Sequence, residues 1–127
     1  MKTTTTYWNP LADVGSWEAI AGTNGQMRQI TLAEDAATGD YTRLTWFRDG
    51  YSSEAFGPKS HAYPEEIFIV SGRIYDEAFD RWLEPGMYAS RPAGEVHGPF
   101  RAAGDAVVLE VSFPGPAKMP DLFANRA

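Results

Sequence analysis

The chain has 127 residues, with 11 Lys+Arg against 17 Asp+Glu for a net charge of −6, no cysteine and two histidines. A chain of this size can bury one real core without a covalent staple, and the missing cysteines exclude disulfides, thiolate metal sites, cysteine nucleophiles and redox switches. The acidic balance and the lack of clustered Lys/Arg argue against nucleic acid and anionic membranes as partners, which leaves His61 and His97 as the first residues to consider for chemistry near neutral pH.

The start of the chain, Met1 to Trp8, is a threonine run without the apolar stretch of a signal peptide, and no segment is apolar enough to span a bilayer, so a cytoplasmic protein is expected. Short β-branched and aromatic runs then follow at 27–33, 41–48, 66–74, 87–91 and 106–113. Between them lie the turn signals AATGD, RDG, EPG, PAG and AGD. No window sustains a helical stripe. Many short strands with such turns predict an all-β antiparallel barrel or sandwich in one domain. Its core barrel should cover about 27–113, with an N-terminal arm at 1–26 and a tail at 114–127.

In the central run, if Glu65 faces inward, the alternation of strand side chains turns Ile67, Ile69 and Ser71 inward with it and Glu66, Phe68 and Val70 outward. Apolar residues on both faces call for a cover over the outer one, and a homodimer would provide it.

The densest polar cluster, Lys59-Ser60-His61-Ala62-Tyr63-Pro64-Glu65-Glu66, runs directly into that strand and on to a glycine turn at Gly72. His97 follows a second turn-rich stretch, Gly86-Met-Tyr-Ala-Ser-Arg91-Pro92-Ala-Gly94-Glu-Val-His97. The first stretch resembles the first cupin motif, H-x-H-x(3,4)-E-x6-G. The second matches the second cupin motif, G-x5-P-x-G-x2-H, at each fixed position through the histidine. The likeness is nearest to the ChrR-type cupins and runs from about Met27 to Phe113, including Asp76-Glu77 after Gly72 and Pro99-Phe100 after His97. It implies a small jelly-roll β-barrel with a site inside.

The resemblance also implies a mononuclear metal held by two histidines and a glutamate of the first motif and the histidine of the second. Counting back from Gly72 puts the glutamate at Glu65 and one histidine at His61; the other falls on Lys59, whose ammonium has no lone pair to give. The remaining set of His61, Glu65 and His97 is chemically adequate for Fe, Mn, Zn or Ni as the divalent ion, with positions open to water or substrate. No organic cofactor is expected. Lys59 and Tyr63 would stand at the edge of the site, Lys59 to hold a substrate carboxylate or enolate and Tyr63 to orient substrate through its hydroxyl.

Three functions are compatible with these residues. The first is a metal-dependent enzyme, a dioxygenase or a lyase/isomerase, acting on a small carbonyl-containing or enolisable substrate. In the second, metal-independent acid–base chemistry uses a histidine as base, Glu65 to orient it and Lys59 to stabilise an enolate. The third is a ligand-binding or sensing module without catalysis.

Overall fold

The computed structural model describes residues 1–3 and 7–113; the expected tail at 114–127 lies outside the described residues. Nine strands and three short 3-10 turns make up the described chain. The strands are β1 (Glu18–Ala19), β2 (Met27–Glu34), β3 (Tyr41–Phe47), β4 (Glu65–Ser71), β5 (Ile74–Asp76), β6 (Arg81–Leu83), β7 (Tyr88–Arg91), β8 (Phe100–Ala102) and β9 (Ala106–Ser112). They form two antiparallel sheets, one of six strands in the order β1-β2-β3-β9-β4-β7 and one of three in the order β6-β5-β8.

The turn chemistry explains the connections. Between β2 and β3, the Asp35 carboxylate accepts from the Ala37 N–H at 2.9 Å and the Asp35 carbonyl accepts from Gly39, so the chain reverses and pairs Glu34 with Tyr41. The run expected at 66–74 is divided by Gly72, at φ +67°; a Cβ there would lie 2.0 Å from the Asp105 carbonyl oxygen. Only glycine accepts both that backbone angle and that approach. The break sends the chain from β4 in the large sheet to β5 in the small one.

The core lies where the two sheets face each other. Ile67 and Ile69 of β4, Phe47 of β3 and Val108 of β9 pack with Ile74 of β5 and Ala102 of β8, and Ile69 is 1% exposed. Burying such a side chain contributes about 1.5–3 kcal/mol. The alternation expected for β4 holds from Glu65 through Ile69, with Glu65, Ile67 and Ile69 buried and Phe68 exposed. Ser71 differs: it is exposed, because a bulge against β9 between Ile69 and Ser71 shifts the register and resets the faces.

Three strands had no clear signal in the sequence. β6 and β8 are three residues each and depend on the central strand β5 for pairing, while β1 is a two-residue addition to the edge of β2. Ahead of β1, Trp17 is buried edge-on against Trp46 of β3, with ring centroids 6.0 Å apart. Its indole N–H donates to the Pro10 carbonyl at 2.9 Å, which ties part of the 1–26 arm to the large sheet. No helix among the described residues is long and apolar enough to cross a membrane.

Candidate functional site

A cavity of about 240 Å³ opens between the sheets. Its deeper wall is apolar and includes Phe47, Ile69 and Val108, whereas Lys59, His61, Tyr63, Glu65 and His97 gather along its polar side. The structure therefore places all five residues singled out in the sequence on one cavity.

The two histidines arrive from different parts of the chain. Lys59 and His97 form an isolated antiparallel bridge, each donating its N–H to the other's carbonyl at 2.8 and 2.9 Å. The turn after Pro92 is fixed to the first motif as well, through Gly94 N–H to the His61 carbonyl at 2.8 Å. These backbone bonds set the imidazole centroids of His61 and His97 5.1 Å apart.

His61 is oriented by its neighbour. Its Nδ1 lies 2.7 Å from the Tyr63 carbonyl, which only accepts, so Nδ1 carries a proton and any lone pair of the neutral ring is on Nε2. The Tyr63 ring stacks on the imidazole at 4.1 Å between centroids, and His61 Nε2 stands 3.8 Å from Glu65 Oε1.

Glu65, 2% exposed at the start of β4, is held by groups on other strands. Tyr41 Oη donates to Glu65 Oε2 at 2.6 Å, and the Arg91 guanidinium stands 3.7 Å from Oε1. Burial pushes the Glu65 carboxyl up from its ordinary value, and the Glu110 charge adds to this, against the stabilising pull of Tyr41, His61 and Arg91. Tyr41 rises too, first through burial and then through its bond to Glu65, so its hydroxyl stays protonated as a donor. With Glu65 ionised, that single proton is committed to the carboxylate; in the 3.1 Å contact between the two hydroxyls Tyr63 then donates to Tyr41.

His97 has a different setting. Its side chain is buried, and Nδ1 makes no hydrogen bond among the described residues. Burial, followed by the charges of Arg91 and His61, lowers its pKa to about 4, against a smaller opposing pull from the Glu95 carbonyl. The ring is therefore neutral at physiological pH, with a lone pair to offer.

This donor chemistry fits a divalent ion. In its neutral form His61 offers Nε2, His97 offers a second imidazole nitrogen, and Glu65 supplies a carboxylate oxygen. Among the described residues no three His, Asp or Glu side chains are already gathered at ligand spacing, and the 3.8 Å between Nε2 and Oε1 describes an open pair. Lys59 brings no ligand, and its side chain is exposed at the cavity rim.

Two residues of the site were not singled out in the sequence, and a third only in part. Tyr41 and Glu110 lie on strands β3 and β9, far in sequence from both motifs, with nothing to distinguish them from other strand residues. Glu110 is paired with Arg43 at 3.3 Å and accepts from the Thr45 hydroxyl. Arg91 precedes a proline, where strand phase is hard to read; pairing with Glu65 across β4 and β7 turns it inward, where it also stands 4.0 Å from Asp76.

Comparison with known proteins agrees with this architecture. Solved structures that resemble it include an RmlC-like cupin from Shewanella frigidimarina, with a TM-score of 0.69 and 14% identity over 91% of this chain and 95% of that one. KdgF from Halomonas sp. matches with a TM-score of 0.66 and 18% identity over 92% and 100% of the two chains. The anti-sigma factor ChrR of Rhodobacter sphaeroides, solved in complex with SigE, matches with a TM-score of 0.57 and 23% identity over 82% of this chain, which spans 56% of that one. No curated protein matches the chain in sequence. The model of the ChrR cupin-like domain matches residues 2–113, nearly the whole described chain, and the protein accordingly belongs to the ChrR cupin-like domain family.

Proposed function

We propose that this chain is a small-molecule enzyme of the cupin type, working in the cytoplasm on a small enolisable carbonyl compound, with a divalent metal held by His61, Glu65 and His97. What supports this reading is the meeting of two imidazoles and a buried carboxylate on the polar side of a cavity whose other lining is largely apolar. When bound there, a divalent ion supplies a Lewis acid that polarises a carbonyl oxygen and stabilises an enolate.

The protein's own groups do the rest. The Tyr63 carbonyl holds a proton on His61 Nδ1 and so turns Nε2 toward Glu65. Tyr41 anchors Oε2 and leaves Oε1 toward the cavity. The apolar wall shields a reacting carbonyl from bulk water, which strengthens each polar contact made to it. At the rim, Lys59 and Tyr63 orient the substrate.

Elemental analysis of protein purified without chelator tests this, together with titration of Fe, Mn, Zn and Ni into the stripped protein. One ion per chain is expected, with binding lost in Glu65→Gln and His97→Ala. Lys59→His, which adds an imidazole in place of an ammonium, should tighten binding about tenfold or more. No bound metal in any of these proteins would overturn the metal reading.

A second reading is favoured by the Arg91 guanidinium 3.7 Å from Glu65, a positive charge where a dication would otherwise be welcome. In it, neutral His97 takes the substrate proton directly and Lys59 faces the enolate. Turnover that survives chelator and is lost in His97→Ala would select this reading over the first.

A further inference from the structure

The charges around the cavity are unevenly matched. Three lysine and arginine side chains line it: Arg43, Lys59 and Arg91. Arg43 is paired with Glu110 and Arg91 with Glu65. Lys59 alone has no ion-pair partner among the described residues, in a chain whose acidic residues outnumber its basic ones by six (17 − 11). An unmatched ammonium at the rim of a binding cavity is an attractor for an anionic group on the ligand.

Its position limits where that group lies. The backbone bridge between Lys59 and His97, which exchange both N–H···O bonds, holds their Cα atoms roughly 5.5 Å apart, and His61 follows two residues after Lys59. Exposed Lys59 thus starts from the backbone beside buried His97 and lines the same cavity as both imidazoles, and a ligand that reaches the imidazoles with a carbonyl and Lys59 with an anion carries the two within a few bonds of each other. Beyond the paired Arg43–Glu110 and Arg91–Glu65, most of the remaining lining is apolar, with Phe47, Ile69 and Val108, and so suits a hydrocarbon tail. At about 240 Å³ the cavity is below the roughly 300–1,000 Å³ of drug-sized pockets, which keeps that tail short.

We propose that the substrate class is a 2-oxo or 3-oxo carboxylic acid with a short apolar tail, its carboxylate held by Lys59 and its tail in the barrel. This rests on the reading of the cavity as a site for an enolisable carbonyl compound, and adds the anion and its receptor.

Calorimetric titration with 4-methyl-2-oxopentanoate and with its methyl ester, which differ in charge and share the carbonyl and the tail, tests it. The acid should bind the wild type about tenfold more tightly than the ester, with the difference shrinking as salt is raised. Lys59→Met should abolish the difference and Lys59→Arg retain it, the unfolding midpoint of each variant confirming that it is folded. Equal or tighter binding of the ester to the wild type overturns the proposal while leaving the cavity a carbonyl site. A preference for the acid that persists in Lys59→Met also overturns it, because another cation then holds the carboxylate. Binding of neither compound overturns both the proposal and the reading beneath it.

Discussion

The two segments that face each other across the cavity, 59–65 and 91–97, differ in how their polar groups are held. In the first, the imidazole, the phenol and the carboxylate each have a partner, His61 Nδ1 on the Tyr63 carbonyl, Tyr63 on the hydroxyl of Tyr41, and Glu65 on that same hydroxyl, and only Lys59 at the rim stands without an ion-pair partner among the described residues. In the second, Arg91 reaches its two carboxylates only at 3.7 and 4.0 Å, and His97 Nδ1 is buried without a hydrogen bond among the described residues. The second segment is fixed through its backbone instead, by the bridge to Lys59 and by the Asp76 carboxylate accepting from the Gly98 N–H at 2.9 Å. The difference separates two tasks. The first segment sets which lone pairs point inward, while the second delivers charge and a neutral ring whose side chains retain room to adjust to a ligand.

The largest test of this contrast is Arg91→Met. Arg91, Glu65 and Asp76 are all at least 90% buried, and removing the cation leaves two carboxylates facing the interior. Breaking a buried charge set from one side costs about 3–5 kcal/mol at good geometry; at these longer distances about 3 kcal/mol is expected, read as a lower urea midpoint with an unchanged slope. A loss under 1 kcal/mol would mean that Arg91 contributes little to holding the second segment. Tyr41→Phe probes the first segment and should cost about 2 kcal/mol, the worth of a hydrogen bond to a charged group. It should also raise the Glu65 pKa further, since Tyr41 is the foremost of the groups that lower it, and carboxylate titration followed by NMR would show this.

How far the sequence disclosed this site follows from where each contact comes from. Glu65, His61 and His97 were legible because motif spacing is a local pattern, and once Glu65 is set inward the alternation along one strand carries Ile67 and Ile69 to the same face. Tyr41 was not, because it acts on Glu65 through a tertiary contact between β3 and β4, which β9 separates in the sheet. The fold divides in the same way. The long strands of the large sheet carry enough β-branched and aromatic residues to be read, but β6 and β8 exist only because β5 lies between them. Ser71 was placed on the wrong face because a bulge depends on the partner strand β9, which one strand's sequence does not contain.

The smallest effect concerns His97 and has a sign that can be fixed in advance. Its pKa in the folded protein is lowered to about 4, whereas an unfolded histidine titrates near about 6.5. Between those values the unfolded chain binds more protons at this residue than the folded one, so the contribution of His97 to stability is present above about pH 6.5 and is lost as pH falls toward 4. The full shift would correspond to about 3 kcal/mol, but the cavity opening screens the site, and about 1 kcal/mol is expected. Glu65 works in the opposite direction: its raised pKa gives stability that is present below its ordinary value and lost as pH rises through the raised one. Urea unfolding at pH 7 and pH 5 separates the two, since replacing the ring with a group that does not titrate removes only the first. His97→Phe should therefore lose less stability than the wild type between these two pH values. An equal loss in both proteins would mean that the bare Nδ1 of His97 finds a partner in solution, and the contrast between the two segments would then narrow to their charges.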